Sequence, residues 1–225
     1  MNMYFTADWH FSDTRLFLFP RPFKNTDDMA EHLIQNFNQI VNDDDVTFFL
    51  GDAALTEEGL KHVSKMNGRK LLIRGNYDTF DEALYLKYFE SVQDTAQFTL
   101  INQDDGAPKE LDVNLVHYPS KGVVDRFNLV GHIHGAWRVQ KNMLNVGVDV
   151  WNYRPVSVKD VLFMYNAVNQ FYDDDVWTAY DKHNMHHMAR GRQGAAVKGT
   201  AKSTASVKKL VMLCAVAKAD IHSAC

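Results

Sequence analysis

The sequence predicts a mixed α/β fold built in layers, and three observations carry that prediction. Short apolar strands alternate with amphipathic helical stretches as far as about residue 90, an order that favours sheets covered by helices. Beyond that point closely spaced strand-like runs take over. Finally, residues of metal-ligand type recur directly after the strands, where α/β folds usually keep their chemistry.

The elements follow in chain order. Met3-Tyr4-Phe5-Thr6-Ala7 reads as a first strand, followed at once by Asp8-Trp9-His10. Residues 11 to 25 read as a loop, because Pro20 and Pro22 bar regular structure. Asp27 and Asp28 open a helix whose apolar positions, Met29, Leu33, Phe37, Ile40 and Val41, fall at helical spacing. The run Val46-Thr47-Phe48-Phe49-Leu50 is too short and too rich in β-branched and aromatic residues for a helix. It ends abruptly in Gly51-Asp52, where glycine lets the backbone turn close to whatever the carboxylate holds.

Thr56-Glu57-Glu58 starts a second helix, with Leu60, Val63 and Met66 as its buried face and Asn67-Gly68 as its stop. A third strand, Lys70-Leu71-Leu72-Ile73, ends in Arg74-Gly75-Asn76-Tyr77-Asp78, and a third helix carries Phe80, Leu84 and Tyr88 in register. Segments 97–101, 111–117, 127–131 and 143–148 read as strands, with a turn over Asn102–Gly106. Ser157 and Asp160 match a capping box ahead of a last helix bearing Val161, Leu162, Tyr165 and Val168.

Composition narrows the function. No apolar run approaches the length of a membrane span, and the N-terminus lacks a signal-peptide pattern, so the cytoplasm is the expected location. Both cysteines, Cys214 and Cys225, lie near the C-terminus, so any metal in the body must be held by His, Asp, Glu or Asn. Residues 184–225 carry seven Lys/Arg against one acid, a net +6, and read as a mobile basic tail. The body, residues 1–183, then carries −10. That charge argues against a general nucleic-acid binder and suits an enzyme that collects divalent cations.

The ligand-type residues at strand ends are Asp8, His10, Asp52, Asn76, His117, His132 and His134. If the strands continue through them, the spacing in Asp8-x-His10 and His132-x-His134 puts both members of each pair on one face. Each element alone has a bland explanation, as a turn or a hydrogen-bonded histidine. Seven in this order do not. Seven ligands exceed one metal's need, whereas two adjacent cations sharing a carboxylate would use them all. The mixed imidazole, carboxylate and amide set suits Mn²⁺, Fe, Zn²⁺, Co²⁺ or Ni²⁺ better than Ca²⁺, with Mn²⁺ the leading expectation. Such a pair stabilises both the attacking and the leaving oxygen of a phosphoryl displacement and generates hydroxide near neutral pH.

The run Asp8-x-His10, Gly51-Asp52, Gly75-Asn76-x-Asp78, His117, Gly131-His132-x-His134 resembles the calcineurin-like metallophosphoesterase superfamily. Together with Asn145-Val146-Gly147-Val148-Asp149 it spans most of the body. Arg21-Pro22-Phe23 and Trp151-Asn152-Tyr153-Arg154-Pro155 resemble a small phage and bacterial branch. The resemblance implies a four-layer α/β/β/α sandwich, with Asp8, His10, Asp52 and His134 on a first metal. Asp52, Asn76, His117 and His132 would hold a second, with Asp52 as the bridge. It also implies catalytic roles around Asp52, Asn76 and His117, and a small phosphoester as substrate.

One position departs from the family pattern. The usual Gly-Asn-His-Asp/Glu block has Tyr77 where the family has a histidine thought to protonate the leaving group or hold the phosphate. A phenol, with an unperturbed pKa of about 10 against about 6.5 for imidazole, is a poorer proton donor near pH 7. It remains a good hydrogen-bond donor. A bias toward phosphodiesters or good leaving groups is therefore expected. Some family members without histidine here resemble phosphodiesterases.

Asp78 keeps the position that orients the missing histidine and is expected to bond Tyr77 or a metal-bound histidine. Trp9 reads as a core residue or a stacking platform. Arg15, Arg21 and Arg74 are candidate phosphate contacts by charge and by nearness in sequence. Two other functions compete with a hydrolase. One is a metal-retaining interaction module without catalysis, and the other is a nuclease whose basic tail supplies affinity for nucleic acid.

Overall fold

The computed structural model describes residues 1–15, 21–101 and 110–171, all within one unit, Met1–Phe171. The expected turn at 102–106 and the basic tail lie outside the described residues, as does the boundary placed at residue 183. In chain order the elements are β1 Met3–Thr6, α1 Thr26–Asn38, β2 Val46–Phe49, α2 Glu57–Leu60, β3 Arg69–Ile73, α3 Glu82–Tyr85, β4 Ser91–Gln93, β5 Ala96–Ile101, β6 Glu110–Leu115, β7 Phe127–Val130, β8 Val139–Gln140, β9 Met143–Asn145, β10 Val156–Ser157 and α4 Val158–Phe171. None of the described helices is long and apolar enough to cross a membrane.

Two five-stranded sheets result, and the fold is mixed α/β. The first has the order β10-β1-β2-β3-β4, with β1 to β4 parallel and β10 antiparallel at one edge. The second has the order β5-β6-β7-β9-β8, with β6, β7 and β9 parallel. Every residue of β2 is buried, and the strand alternation divides its two phenylalanines between its faces. Phe48 stacks on Phe98 of β5, 5.3 Å between ring centroids, and so links the two sheets. Phe49 joins the other face, where Trp9, Phe11 and Phe37 pack with Met29 and Leu33 of α1. Trp9 is wholly buried and donates its indole N–H to Thr6 Oγ1 at 2.8 Å. It is a core residue, not a stacking platform.

Local signals hold at the helix ends. Asn25 caps α1 by accepting from the Asp28 amide at 2.8 Å, beside Asp27 and Asp28 in the first turn. Ser157 and Asp160 form the predicted reciprocal capping box, each side chain accepting from the other's backbone N–H.

The helices after β2 and β3 are shorter than predicted. α2 makes one turn and passes into a 3₁₀ stretch at Lys61–Lys65. Gly59 explains part of this: a Cβ there would meet the Phe11 carbonyl oxygen at 2.8 Å, so the close approach requires glycine, which weakens the helix. α3 also makes one turn, because the chain must reach β4, whose pairing with β3 begins at Ser91. The strands β4, β8 and β10 were not predicted. Each has two or three residues, too few to show a period.

The two sheets meet at their parallel strand ends. Ala7, just past β1, bridges Gly147, just past β9. That junction sets the candidate site.

Candidate metal centre

All seven predicted ligands leave the C-terminal ends of parallel strands: Asp8 and His10 after β1, Asp52 after β2, Asn76 after β3, His117 after β6, His132 and His134 after β7. The local backbone is not the strand continuation expected from the spacing. Asp8, His10, Asp52, His132 and His134 have φ of 60°, 53°, 57°, 74° and 46°, the left-handed region. Non-glycine residues held there cost on the order of 1 kcal/mol or more each, and they persist only where the surroundings over-determine them.

Here the surroundings do so. Backbone N–H groups of Asp8 and His10 donate to the carbonyls of Gly51 and Asp52, and the His132 amide donates to both oxygens of Asp8 at 2.9 and 3.0 Å. The turns, not a strand face, aim the ligands inward.

Two groups form. Asp8, His10 and His134 offer donor atoms within 4.8 Å of one another, and so do Asp52, His117 and His132. His132 and His134, which strand spacing put on one face but the resemblance assigned to different metals, go to different groups. Asp52 stands between them: its Oδ2 is 3.6 Å from His10 Nε2 and 3.4 Å from His117 Nε2. Asn76 Oδ1 joins the second group, 3.0 Å from His117 Nε2 and 2.9 Å from His132 Nδ1.

The donor chemistry fits divalent cations. His117 Nδ1 lies 2.7 Å from the Leu50 carbonyl, which can only accept, so Nδ1 carries a proton. In the neutral ring Nε2 therefore points a lone pair at the Asp52 carboxylate and the Asn76 carbonyl oxygen. Such a cluster of electron-pair donors requires a proton or a metal ion among them. Burial would lower the pKa of His117, but the hydrogen bond to Asp52 and the charges of Asp8 and Asp52 outweigh it and raise it. Burial pushes Asp8 up to about 6 and His10 down to about 4. Cations would relieve the cost of holding these groups buried in their ligating forms.

Glycines clear the space. A Cβ at Gly51 would collide with His117 Nδ1, and one at Gly75 with Asp52 Oδ1. At Gly147 it would lie 2.6 Å from Asp8 Oδ2.

Behind the ligands stand residues to which sequence reasoning gave no role. Asp13 is wholly buried, with Oδ2 3.3 Å from His10 Nδ1, and it accepts Nε and Nη2 of Arg15, both at 2.9 Å. Asp149 accepts His134 Nδ1 at 2.8 Å and is gripped by Arg21 through Nε and Nη2 at 2.7 and 2.9 Å. Burial would raise Asp149, but the bonds from His134 and Arg21 hold it well below the usual carboxylate range. The buried Asn145 donates to the carbonyls of His134 and Trp137 and accepts the Gly147 amide. That bond ends β9 early, correcting the strand predicted over 143–148, and a 3₁₀ turn at Val148–Val150 brings Asp149 to His134. Asp149 was visible beside the motif, but nothing in the sequence tied it to His134.

Several expectations need correction. Asp78 bonds neither Tyr77 nor a ligand histidine. Its buried carboxylate accepts the backbone amides of Asp52, Ala53 and Gly75 at 2.7, 3.1 and 2.8 Å, tying the turns after β2 and β3 together. Arg21 is not free for phosphate. It is buried on Asp149 and on the carbonyls of Asp8 and Trp9. Arg74 is turned to Glu82 and lies over the ring of Tyr85, 5.4 Å from its centroid.

Arg15 does reach the site. Its Nη1 donates to Tyr77 Oη at 3.0 Å, and its guanidinium lies over the Tyr77 ring. The Tyr77 ring is edge-on to His10, with 5.4 Å between centroids, and the Tyr77 amide donates to Asp52 Oδ1 at 2.9 Å. On the other side Tyr118, to which no role was given, packs against His132, 4.7 Å between ring centroids.

No family model matches the chain. An uncharacterized protein of Methanocaldococcus jannaschii is 29% identical over 164 residues, covering 70% of this chain and 87% of that protein. A crystal structure of a protein of unknown function from Aquifex aeolicus superposes with a TM-score of 0.54 at 22% identity. The match covers 71% of this chain and 97% of that one. This likeness concerns the fold alone.

Proposed function

We propose that this protein is a metal-dependent phosphoester hydrolase of the calcineurin-like metallophosphoesterase type, an α/β/β/α four-layer sandwich with a binuclear centre. One observation carries the reading: Asp52 Oδ2 lies 3.6 Å from an imidazole of one ligand group and 3.4 Å from an imidazole of the other. A shared carboxylate between two mixed N/O donor sets is the arrangement that two-metal phosphoryl chemistry needs.

Asp8, His10, Asp52 and His134 would hold one cation, and Asp52, Asn76, His117 and His132 the other. Mn²⁺ is the first choice, with Fe, Zn²⁺, Ni²⁺ or Co²⁺ as alternatives. When bound, such a pair supplies Lewis-acid stabilisation of the phosphoryl oxygens and a nucleophile at neutral pH.

The chain's own residues do the rest. Arg15 can only donate, so Tyr77 Oη accepts from it and its own proton points elsewhere. Tyr77 can then donate to a phosphoryl or leaving-group oxygen beside His10. Asp78 and Arg21 are buried and hold turns and ligand supports.

A phenol in place of an imidazole favours phosphodiesters and good leaving groups over alkyl monoesters, since a lost general acid is worth ~10²–10⁴-fold. The test is the Mn²⁺-supported rate on bis(p-nitrophenyl) phosphate against p-nitrophenyl phosphate, with Asp52→Asn as the control. Turnover that Asp52→Asn abolishes supports the hydrolase. A strong preference for the monoester refutes the substrate assignment, and bound metal without hydrolysis of any ester refutes catalysis.

A further inference from the structure

The two ligand groups are backed in different ways. In the first, both imidazoles rest on carboxylates: His10 Nδ1 faces Asp13 at 3.3 Å, and His134 Nδ1 faces Asp149 at 2.8 Å. Each of these carboxylates is in turn gripped by an arginine through two nitrogens, Arg15 on Asp13 and Arg21 on Asp149. Asp8, His10 and Asp13 are wholly buried. An Arg–Asp–His chain thus fixes the plane and the tautomer of the His134 ring before any cation arrives, and the Arg15–Asp13 pair sets a carboxylate at ion-pair distance behind His10.

The second group has no such support. His117 rests on a neutral backbone carbonyl, that of Leu50. His132 is exposed, and its Nδ1 meets Asn76, itself a member of the group. Among the described residues, the one carboxylate within 4 Å of a ring nitrogen of this group is Asp52, which lies between the groups. Ring-to-ring packing by Tyr118 positions His132 without a hydrogen bond.

A carboxylate behind a ligating imidazole fixes the ring and raises its basicity, and its removal typically costs 10–100-fold in metal affinity. A buried, preset imidazole such as His10 also loses less side-chain freedom on binding than an exposed one such as His132. From this we infer that the two cation sites are unequal: the group Asp8, His10, His134 fills first and retains its ion, while the group Asp52, Asn76, His117, His132 fills second and exchanges readily. Asp13 and Asp149 are the positioning residues that create the difference. The inference rests on the two-metal reading above but not on the hydrolase reading.

The test is calorimetric titration of the full-length, chelator-treated protein with Mn²⁺, with Mn²⁺ electron paramagnetic resonance following each equivalent. The expected result is two steps at least tenfold apart, the second giving a spin-coupled signal. His132→Ala, which removes an exposed imidazole and keeps the backbone amide that bonds Asp8, should weaken the second step and spare the first. Asp13→Asn should weaken the first step by about 10–100-fold and spare the second. Asp13→Asn is preferred to a change at Asp149, because Arg15 can turn to solvent whereas Arg21 would be left buried without its carboxylate.

Circular dichroism of the metal-free variants separates misfolding from a lost ring support. If Asp13→Asn unfolds, His132→Ala alone decides. Steps of equal affinity, or His132→Ala acting on the tighter step, overturn the inference. Equal steps with ester turnover would leave the hydrolase intact. Unequal steps without turnover would leave this inference intact and remove the hydrolase.

Discussion

Replacing Asp78 with alanine separates a structural from a catalytic role at a position that the proposed metallophosphoesterase reading would assign to a catalytic partner. The carboxylate is 3% exposed and accepts the amides of Asp52, Ala53 and Gly75. Its removal leaves three N–H groups of two buried turns without acceptors. Each unsatisfied buried donor costs about 1–3 kcal/mol. With partial relaxation of the turns, a loss of about 3–5 kcal/mol is expected, at the upper end of single substitutions.

For a chain of this size about 1 kcal/mol shifts Tm by roughly 2–4 °C, so the metal-free protein should melt roughly 6–20 °C lower. Because two of the three amides flank the Asp52 side chain, Mn²⁺ affinity should fall in parallel. Differential scanning calorimetry and Mn²⁺ titration of chelator-treated protein measure both. An Asp78→Ala protein that melts within 2 °C of the wild type and binds Mn²⁺ normally, yet loses turnover, would refute the structural role.

Three further outcomes follow from named contacts. Gly147→Ala places a methyl group about 2.6 Å from Asp8 Oδ2, at a φ of −62° that any residue tolerates, so its effect is steric and local. It should weaken Mn²⁺ binding tenfold or more while far-UV circular dichroism stays unchanged. Tyr77→Phe keeps the ring beside His10 but removes the hydroxyl, and should slow ester turnover about tenfold or more with Mn²⁺ affinity within twofold of wild type.

Asp45 is nearly buried and accepts the amides of Asn42 and Asn2. Burial would raise its pKa, but those bonds outweigh burial and lower it. A depressed carboxylate stabilises the fold above its unfolded pKa of about 3.9, and that stability is lost as pH falls through the folded value. Denaturant melts of wild type and Asp45→Ala should therefore differ by about 1–3 kcal/mol at pH 7 and converge on acidification below about pH 4. A constant gap down to pH 2 would contradict the assignment.

The strands were legible where a buried run ended in a chemically distinct residue, as in Val46–Phe49 before Gly51-Asp52 and Phe127–Val130 before Gly131-His132. The capping box at Ser157 and the face of α1 were legible because both are set by residues within four positions of each other. The single-turn helices were not, since Gly59 against the Phe11 carbonyl and the pairing of β4 with β3 are contacts between distant segments.

The seven ligands were visible in the sequence because ligand chemistry leaves few substitutes for His, Asp and Asn, and because short strands leave little room for register error. Sequence alone thereby singled out the candidate ligands that the structure gathers. Residue spacing alone would have kept His132 with His134; the grouping that the resemblance implies is made by tertiary contacts. The left-handed turns at Asp8, His10, Asp52, His132 and His134 exist because long-range hydrogen bonds and packing hold them, and no local preference would produce five.

The same holds for the partners behind the ring nitrogens. Asp149 lies 15 residues from His134 and 128 from Arg21, and only the folding of Val148–Val150 against Ala7 brings the three together. A ligand's identity is written at one position. Its support depends on contacts made when the two sheets close.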